Sequence, residues 1–250
     1  MTKIALLIPT TTKGRPQWKN IKDTYLYNYT LKTFLLKYSP EYNYEIHIGY
    51  DYDDRIFSNE LERQTIQNFE KVFKNITFYF TPYKNVEKGH LTKMWNILFK
   101  NAYDNGCDYF YQCGDDIVFK TNNWVKDSIE ILKKHNDIGL SGPLNNNNRI
   151  LTQAMVSRKH MKIFGWFFPE EIINWCCDDW YNIVYSPKYL FILKNHYCSN
   201  EGGNPRYEIN NNKMFKNNFM KNTQKLRNDT KILANIHKKL LNEFIGNIVE

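Results

Sequence analysis

Four short apolar runs, each followed by an amphipathic stretch, fill the first 140 residues, and that alternation constrains the fold more than any other feature. "KIALLIP" at 3–9 reads as a fully buried strand, closed by Pro9 and the polar loop "TTTKGRPQ". An amphipathic stretch runs from Trp18 to Tyr38. "YEIHIGYD" alternates as a second strand ending at Asp51, and "NELERQTIQNFEKVF" reads as helix. "NITFYF" is a third strand, and "HLTKMWNILFKNAYDNG" a helix stopped at Asn105-Gly106. "CDYFYQC" is a fourth strand, followed by a helix near 122–135 and a strand near 137–142. Repeats of this kind predict βαβ units: an α/β fold whose mostly parallel sheet is flanked by helices on both faces. Ligands then gather at the carboxyl ends of the strands, where "PTTTKGR", "DYDD" and "GDD" all fall.

Beyond residue 145 the pattern changes. "RILTQAMVS" and "YLFILKN" read as strands, separated by the aromatic-rich "FGWFFPEEIINWCCDDWYNIVY". From about residue 223, Ile232, Leu233, Ile236, Leu240, Leu241, Phe244, Ile245 and Ile248 share one helical face. That helix either packs on its own domain or lays its apolar face on an anionic membrane. Residues 213–250 carry eight Lys or Arg against three Asp or Glu, so most of the net charge of +8 belongs to this segment. The expected division is therefore a domain over 1–212 and a basic helical segment over 213–250 packed on it. A hydrophobic content of 42% is enough for a substantial core. No apolar run approaches the roughly 20 residues that cross a bilayer, and the first residues lack a signal peptide's cleavage pattern. The expectation is a soluble, cytoplasmic protein. The five cysteines form no CxxC pair and read as buried free thiols rather than a zinc site.

The absent motifs narrow the chemistry. The chain has no G-x-G, no P-loop, no H-E-x-x-H and no G-x-S-x-G. In "YFYQCGDDIVF" the consecutive Asp115 and Asp116 stand at a strand end, where two like charges repel and desolvation adds to the cost. A positive charge is expected there, and Mn2+ or Mg2+ suits two carboxylates beside a diphosphate. A second pair, Asp178-Asp179, lies between Trp175 and Trp180. One of the two suits a helix N-cap, and the other a general base whose proton affinity is raised by aromatic surroundings. Trp166, Phe167 and Phe168 lie just upstream and read either as core or as an acceptor surface for sugar. His196 follows a strand and precedes Gly202-Gly203; it is either structural or a metal or phosphate contact, and the glycines suit a lid.

In this order the elements resemble the GT-A class of nucleotide-sugar-dependent glycosyltransferases over residues 3–200. They are similar to family 2-like enzymes, more distantly to the N-acetylglucosaminyltransferase I type, and to compact relatives of large DNA viruses. The resemblance implies a GT-A (Rossmann-like) domain with a nucleotide-binding part over about 1–120 and an acceptor-binding part over about 121–212. Pro9, Thr10, Thr11 and Arg15 would line the nucleotide pocket, and Asp51 would meet base or ribose. Lys93 and Asn96 would lie near ribose or diphosphate. Asp116 would hold the metal, with Asp115 on the ribose or the metal's water and His196 as a third contact. Asp178 or Asp179 would deprotonate the acceptor hydroxyl, which implies inversion. The donor implied is a UDP-sugar and the acceptor a glycan or glycoconjugate. Gly114 stands where the family's D-x-D has its first acid.

Three other functions compete, one of them a non-catalytic sugar-binding relative. A sugar nucleotidyltransferase needs a glycine- and cation-rich triphosphate loop, and "TTTKGR" has a single Gly and two cations. A nucleic-acid enzyme or binder needs basic residues along a groove, whereas here they concentrate in the C-terminal helix.

Overall fold

A computed structural model describes residues 1–147, 149–203, 206–207 and 219–249. Strands β1 (Lys3–Thr10), β2 (Asn43–Asp51), β3 (Ile76–Tyr83) and β4 (Tyr109–Gln112) are parallel neighbours in the spatial order β3-β2-β1-β4. Beyond β4 the sheet continues through β7 (Ala154–Ser157), β6 (Leu140–Leu144), β8 (Leu190–Asn200) and β5 (Ile117–Phe119), eight strands in all. β7 runs antiparallel to β4 and β6, and β5 antiparallel to β8. The chain builds outward from β1 to β3 and then returns to the other side of β1 with β4. The topological switch point therefore lies between the carboxyl ends of β1 and β4.

β1 is apolar throughout because both of its faces are covered. Ile4, Leu6 and Ile8 enter one core and Ala5 and Leu7 the other. Helix α3 (Leu91–Asp104) covers the second face with Met94, Trp95, Leu98, Phe99 and Ala102, a helical spacing. It stops where Gly106 takes a positive φ of 83°, which a side chain disfavours. Helices α1 (Lys32–Lys37) and α4 (Trp124–Lys134) lie over the first face, where Trp124 stacks on Phe119 at 4.8 Å. Helix α2 (Glu60–Gln67) follows β2.

The stretch 18–38 is not one helix. It breaks into a 3-10 turn (Ile21–Asp23), a π-turn (Leu26–Leu31) and α1. The buried Thr30 of the π-turn accepts from the Ile117 amide at 2.9 Å and donates to the Gly114 carbonyl at 3.2 Å, which fixes the loop after β4. The aromatic connection also folds further than its sequence suggests, into α5 (Arg158–Phe164) and α6 (Cys177–Tyr185).

Helix α7 (Phe219–Val249) packs on α5 and α6 through Ala234 and Leu241, and Trp180 Nε1 donates to His237 Nδ1 at 3.1 Å. The domain boundary expected at 212 lies outside the described residues, as does the side chain of Ile248. The apolar residues of α7 divide between two faces. Leu233, Phe244 and Ile245 pack inward, while Ile232 (62% exposed), Ile236 (54%) and Leu240 (40%) point outward. No described helix is long and apolar enough to cross a membrane. All five cysteines are free and buried. On this packing, Leu241→Ala should cost about 2–4 kcal/mol in urea unfolding. Ile236→Ala should stay within about 0.5 kcal/mol, because its side chain leaves water exposure unchanged.

Candidate functional site

The loop after β4 carries the first carboxylate pair to the switch point. Asp115 is buried, 1% exposed, and accepts from the Thr10 hydroxyl at the end of β1 at 2.6 Å. Both of its carboxylate oxygens are taken by the guanidinium of Arg206. Arg206 also donates to the Thr11 carbonyl at 3.2 Å and comes within 3.9 Å of Asp116. A positive charge is therefore present at the pair, and it is a side chain. Sequence reasoning missed it: "NPRY" matches no motif, and the available signal was a cation shortly after the Gly-Gly step.

Asp116 is half-buried and differently served. Asn200 Nδ2 donates to one carboxylate oxygen at 3.1 Å, and the Glu201 amide takes its carbonyl at 2.9 Å. A Cβ at Gly202 would fall 1.9 Å from Asp116 Oδ2, so only glycine permits this approach. Burial first, then the neighbouring Asp115 charge, pushes the Asp116 carboxyl up to about 6, with Arg206 pulling the other way.

The loop after β1 lies beside this pair. Asp51, at the end of β2, accepts from the Thr11 hydroxyl at 3.0 Å and from Tyr207 at 2.7 Å. Asp54 knots the loop by accepting from the Thr12 amide at 2.6 Å and from the amides of Ile56 and Phe57 at 3.0 Å. A cavity of about 500 Å3 opens here, rimmed by Lys13, Arg15, Arg55 and Lys88, with Asp51 on its wall. Arg15 reaches across to the Gly202 carbonyl at 3.1 Å.

A second cavity of about 660 Å3 lies between the end of β4 and the start of α6. Pro9, Asp115, Asp116 and Arg206 line one side, and Trp175, Asp178 and Asp179 another. The two acidic pairs thus share one cavity. Neither Asp178 nor Asp179 is the N-cap; that position is Cys176, at φ 69°, and the carboxylates sit in the first turn of α6. There the helix dipole favours negative charge. Burial and the adjacent Asp179 nonetheless push the Asp178 carboxyl up to about 6. Asn182 Nδ2 braces the turn by donating to the Asp178 carbonyl at 2.8 Å.

Three expected residues are not brought to the pair. His196 sets its ring nitrogens at 2.7 Å from Asp127 and 3.2 Å from Thr121, tying β8 to the first turn of α4. Among the described residues, no His, Cys or further carboxylate completes a three-ligand group with Asp115 and Asp116. Asn96 clamps the aromatic loop. Its Oδ1 accepts from the Phe167 and Phe168 amides at 3.0 and 2.9 Å, and its Nδ2 donates to the Phe168 carbonyl at 2.9 Å. Lys93 stands 3.5 Å from Glu170 on the surface of α3. Phe167 and Phe168 are wholly buried and Trp166 packs against Trp180, so of the aromatics upstream of α6 it is Trp175 that faces the cavity.

Parallel strands, a carboxylate loop at the switch point and a mixed outer sheet define a GT-A fold. Solved structures bear this out. S. aureus TarS 1–349, a GT-A-like glycosyltransferase, superposes with a TM-score of 0.53 at 15% identity, covering 79% of this chain. Its complex with UDP gives 0.54 at 16% over 79%, and its complex with UDP-GlcNAc 0.54 at 15% over 82%. The chain spans 60% of TarS 1–349 and 36% of a longer TarS chain. No protein-family model and no curated protein matches the sequence.

The raised Asp178 carboxyl has a consequence for stability. Ionising it in the fold costs free energy that the unfolded chain does not spend, so its unfavourable contribution grows from about pH 4 upward and is complete above about pH 6. Asp178→Asn should therefore gain in melting temperature relative to the wild type between pH 4 and pH 7. A difference independent of pH would mean that the carboxyl is not perturbed.

Proposed function

We propose that the protein is a nucleotide-sugar-dependent glycosyltransferase, moving a sugar from a UDP-sugar to an acceptor hydroxyl with inversion. The observation that carries this reading is the pair of acidic sites on one cavity at the switch point of a GT-A fold. The UDP and UDP-GlcNAc complexes of TarS support the choice of donor. Thr11, Arg15 and Asp51 bind the nucleotide in the cation-rimmed cavity, and Pro9, Thr10 and Arg206 line the neighbouring pocket where the diphosphate would enter.

Asp116 suits a divalent cation. It is a cavity-facing carboxylate whose proton affinity is raised by burial and by the Asp115 charge, and Mn2+ or Mg2+ takes such an oxygen together with phosphate and water oxygens. Asp115, already saturated by Thr10 and Arg206, fixes the loop. The cation would neutralise the diphosphate leaving group. Asp178, ionised at neutral pH yet strongly basic for a carboxylate, would take the proton of the acceptor hydroxyl from across the cavity, with Asp179 raising its basicity. Attack opposite the leaving group inverts the anomeric centre. Trp175 offers the acceptor sugar an apolar face.

Thermal shift tests the donor and metal together. UDP with Mn2+ at about 100 times Kd should stabilise the protein by about 2.7 kcal/mol, roughly 5–10 °C. Asp116→Ala should lose the metal-dependent part of the shift. If no nucleotide shifts the protein under any metal condition, the reading fails. If incubation with a nucleoside triphosphate and a sugar phosphate releases pyrophosphate, the enzyme is a nucleotidyltransferase.

The outward Ile232, Ile236 and Leu240, flanked by Lys231 and Lys239, support peripheral contact with an anionic membrane. Vesicles rich in phosphatidylserine should sediment the wild type and release Ile236→Glu; equal sedimentation of both would remove this contact.

A further inference from the structure

The amino-terminal end of the sheet, opposite the nucleotide cavity, holds a second group of unusual side chains. Glu45 and His47 lie on the same face of β2, two residues apart, and both are buried. A parallel strand covered on both faces ordinarily carries apolar residues, and burying two ionisable groups there is costly without partners. Cys107, wholly buried, comes to the same place from the turn between α3 and β4. β1 stands between β2 and β4, and its residue in register with Glu45 is Ala5, small enough to let the groups on either side meet.

We propose that Glu45, His47 and Cys107 form a divalent-metal site of zinc type, separate from the catalytic pair. One ligand atom from each lies within 4.8 Å of the other two. Thiolate, imidazole and carboxylate are the three ligand types zinc accepts. With zinc–ligand bonds of about 2.0–2.3 Å, tetrahedral ligand atoms stand roughly 3.3–3.8 Å apart, so closure asks only for small side-chain adjustments. His47 Nε2 is 2.9 Å from Glu45, while Nδ1 is buried with no hydrogen-bond partner among the described residues, so the ring has a nitrogen unspent. Lys3 Nζ at 3.0 Å on one oxygen and Asn105 Nδ2 at 3.2 Å on the other fix the orientation of the Glu45 carboxylate. The His47 ring is further fixed by stacking on Tyr79 at 4.9 Å. On binding, the metal takes the Cys107 sulfur as thiolate, and the thiol proton passes to solvent. Closing the site ties β2 to the α3–β4 turn.

Co2+ titration of the full, metal-free chain reads the site directly, because only a cysteine ligand gives a near-ultraviolet thiolate-to-cobalt absorption band. The band should saturate at one equivalent and be displaced by Zn2+. It should survive in Asp116→Ala, which separates this site from the catalytic one, and vanish in Cys107→Ser. Zn2+ should raise the melting temperature of the wild type. Glu45→Gln, which keeps the shape of the side chain and the thiol, should weaken Co2+ affinity at least tenfold and covers the case in which Cys107→Ser does not fold. Absence of the band in the wild type, or its persistence in Cys107→Ser, overturns the proposal, as does unchanged affinity in Glu45→Gln.

Discussion

The ion pair between Asp115 and Arg206 is the interaction on which the site depends. A carboxylate buried to this degree is costly in isolation, and it is held by a bidentate guanidinium and the Thr10 hydroxyl. Once Asp115 is saturated, its neighbour cannot share that compensation fully, because Arg206 stands 3.9 Å from Asp116. Two adjacent, chemically identical residues thereby acquire different jobs. Asp115 anchors the loop to β1, and Asp116 faces the cavity with charge to spare. Gly202 permits this by letting its backbone close on Asp116 without a Cβ, and Thr30 holds the loop's other side.

The second acidic pair depends on the far end of the chain. Asp178 and Asp179 stand in the first turn of α6, and that helix is seated by Trp180, whose indole donates to His237 of α7. Arg227, also on α7, reaches the wall of the same cavity. The basic C-terminal helix is therefore a buttress of the site as well as a surface element. The half of α7 that packs is the half that fixes α6, which leaves Ile232, Ile236 and Leu240 with no part in that support.

The sequence declares what is costly or periodic. Strands β1 to β4 are legible because two-sided burial forces apolar runs, and both acidic pairs because adjacent carboxylates near apolar chain need a reason. β5 is illegible: three residues, Ile117 to Phe119, gain strand character only by pairing with β8 across the fold. The π-turn at 26–31 is hidden because its purpose, the Thr30 contact with Gly114 and Ile117, spans more than 80 positions. Lys93, Asn96 and His196 stand out only by their place in an order of elements, and order does not say where a side chain points. Asn96 instead satisfies two backbone amides of the aromatic loop, a demand invisible until that loop is folded. Arg206 has the opposite problem: its partner, Asp115, is 91 positions away.

Gly114 joins these threads. A Cβ at this position would sit 2.7 Å from Asp116 Oδ1, so an acidic side chain there would displace Asp116 from its present rotamer as well as adding charge. Its carbonyl also takes the Thr30 hydroxyl at 3.2 Å, which ties the backbone to the π-turn. A third carboxylate would join two that already share one guanidinium, in a place where Asp116 is short of compensation with only one acidic neighbour. The glycine at position 114 and the presence of Arg206 are thus two sides of one electrostatic arrangement. With no acid at position 114, one arginine suffices to hold the loop, and Asp116 stays a cavity-facing carboxylate of raised proton affinity, as Asp178 is across the same cavity.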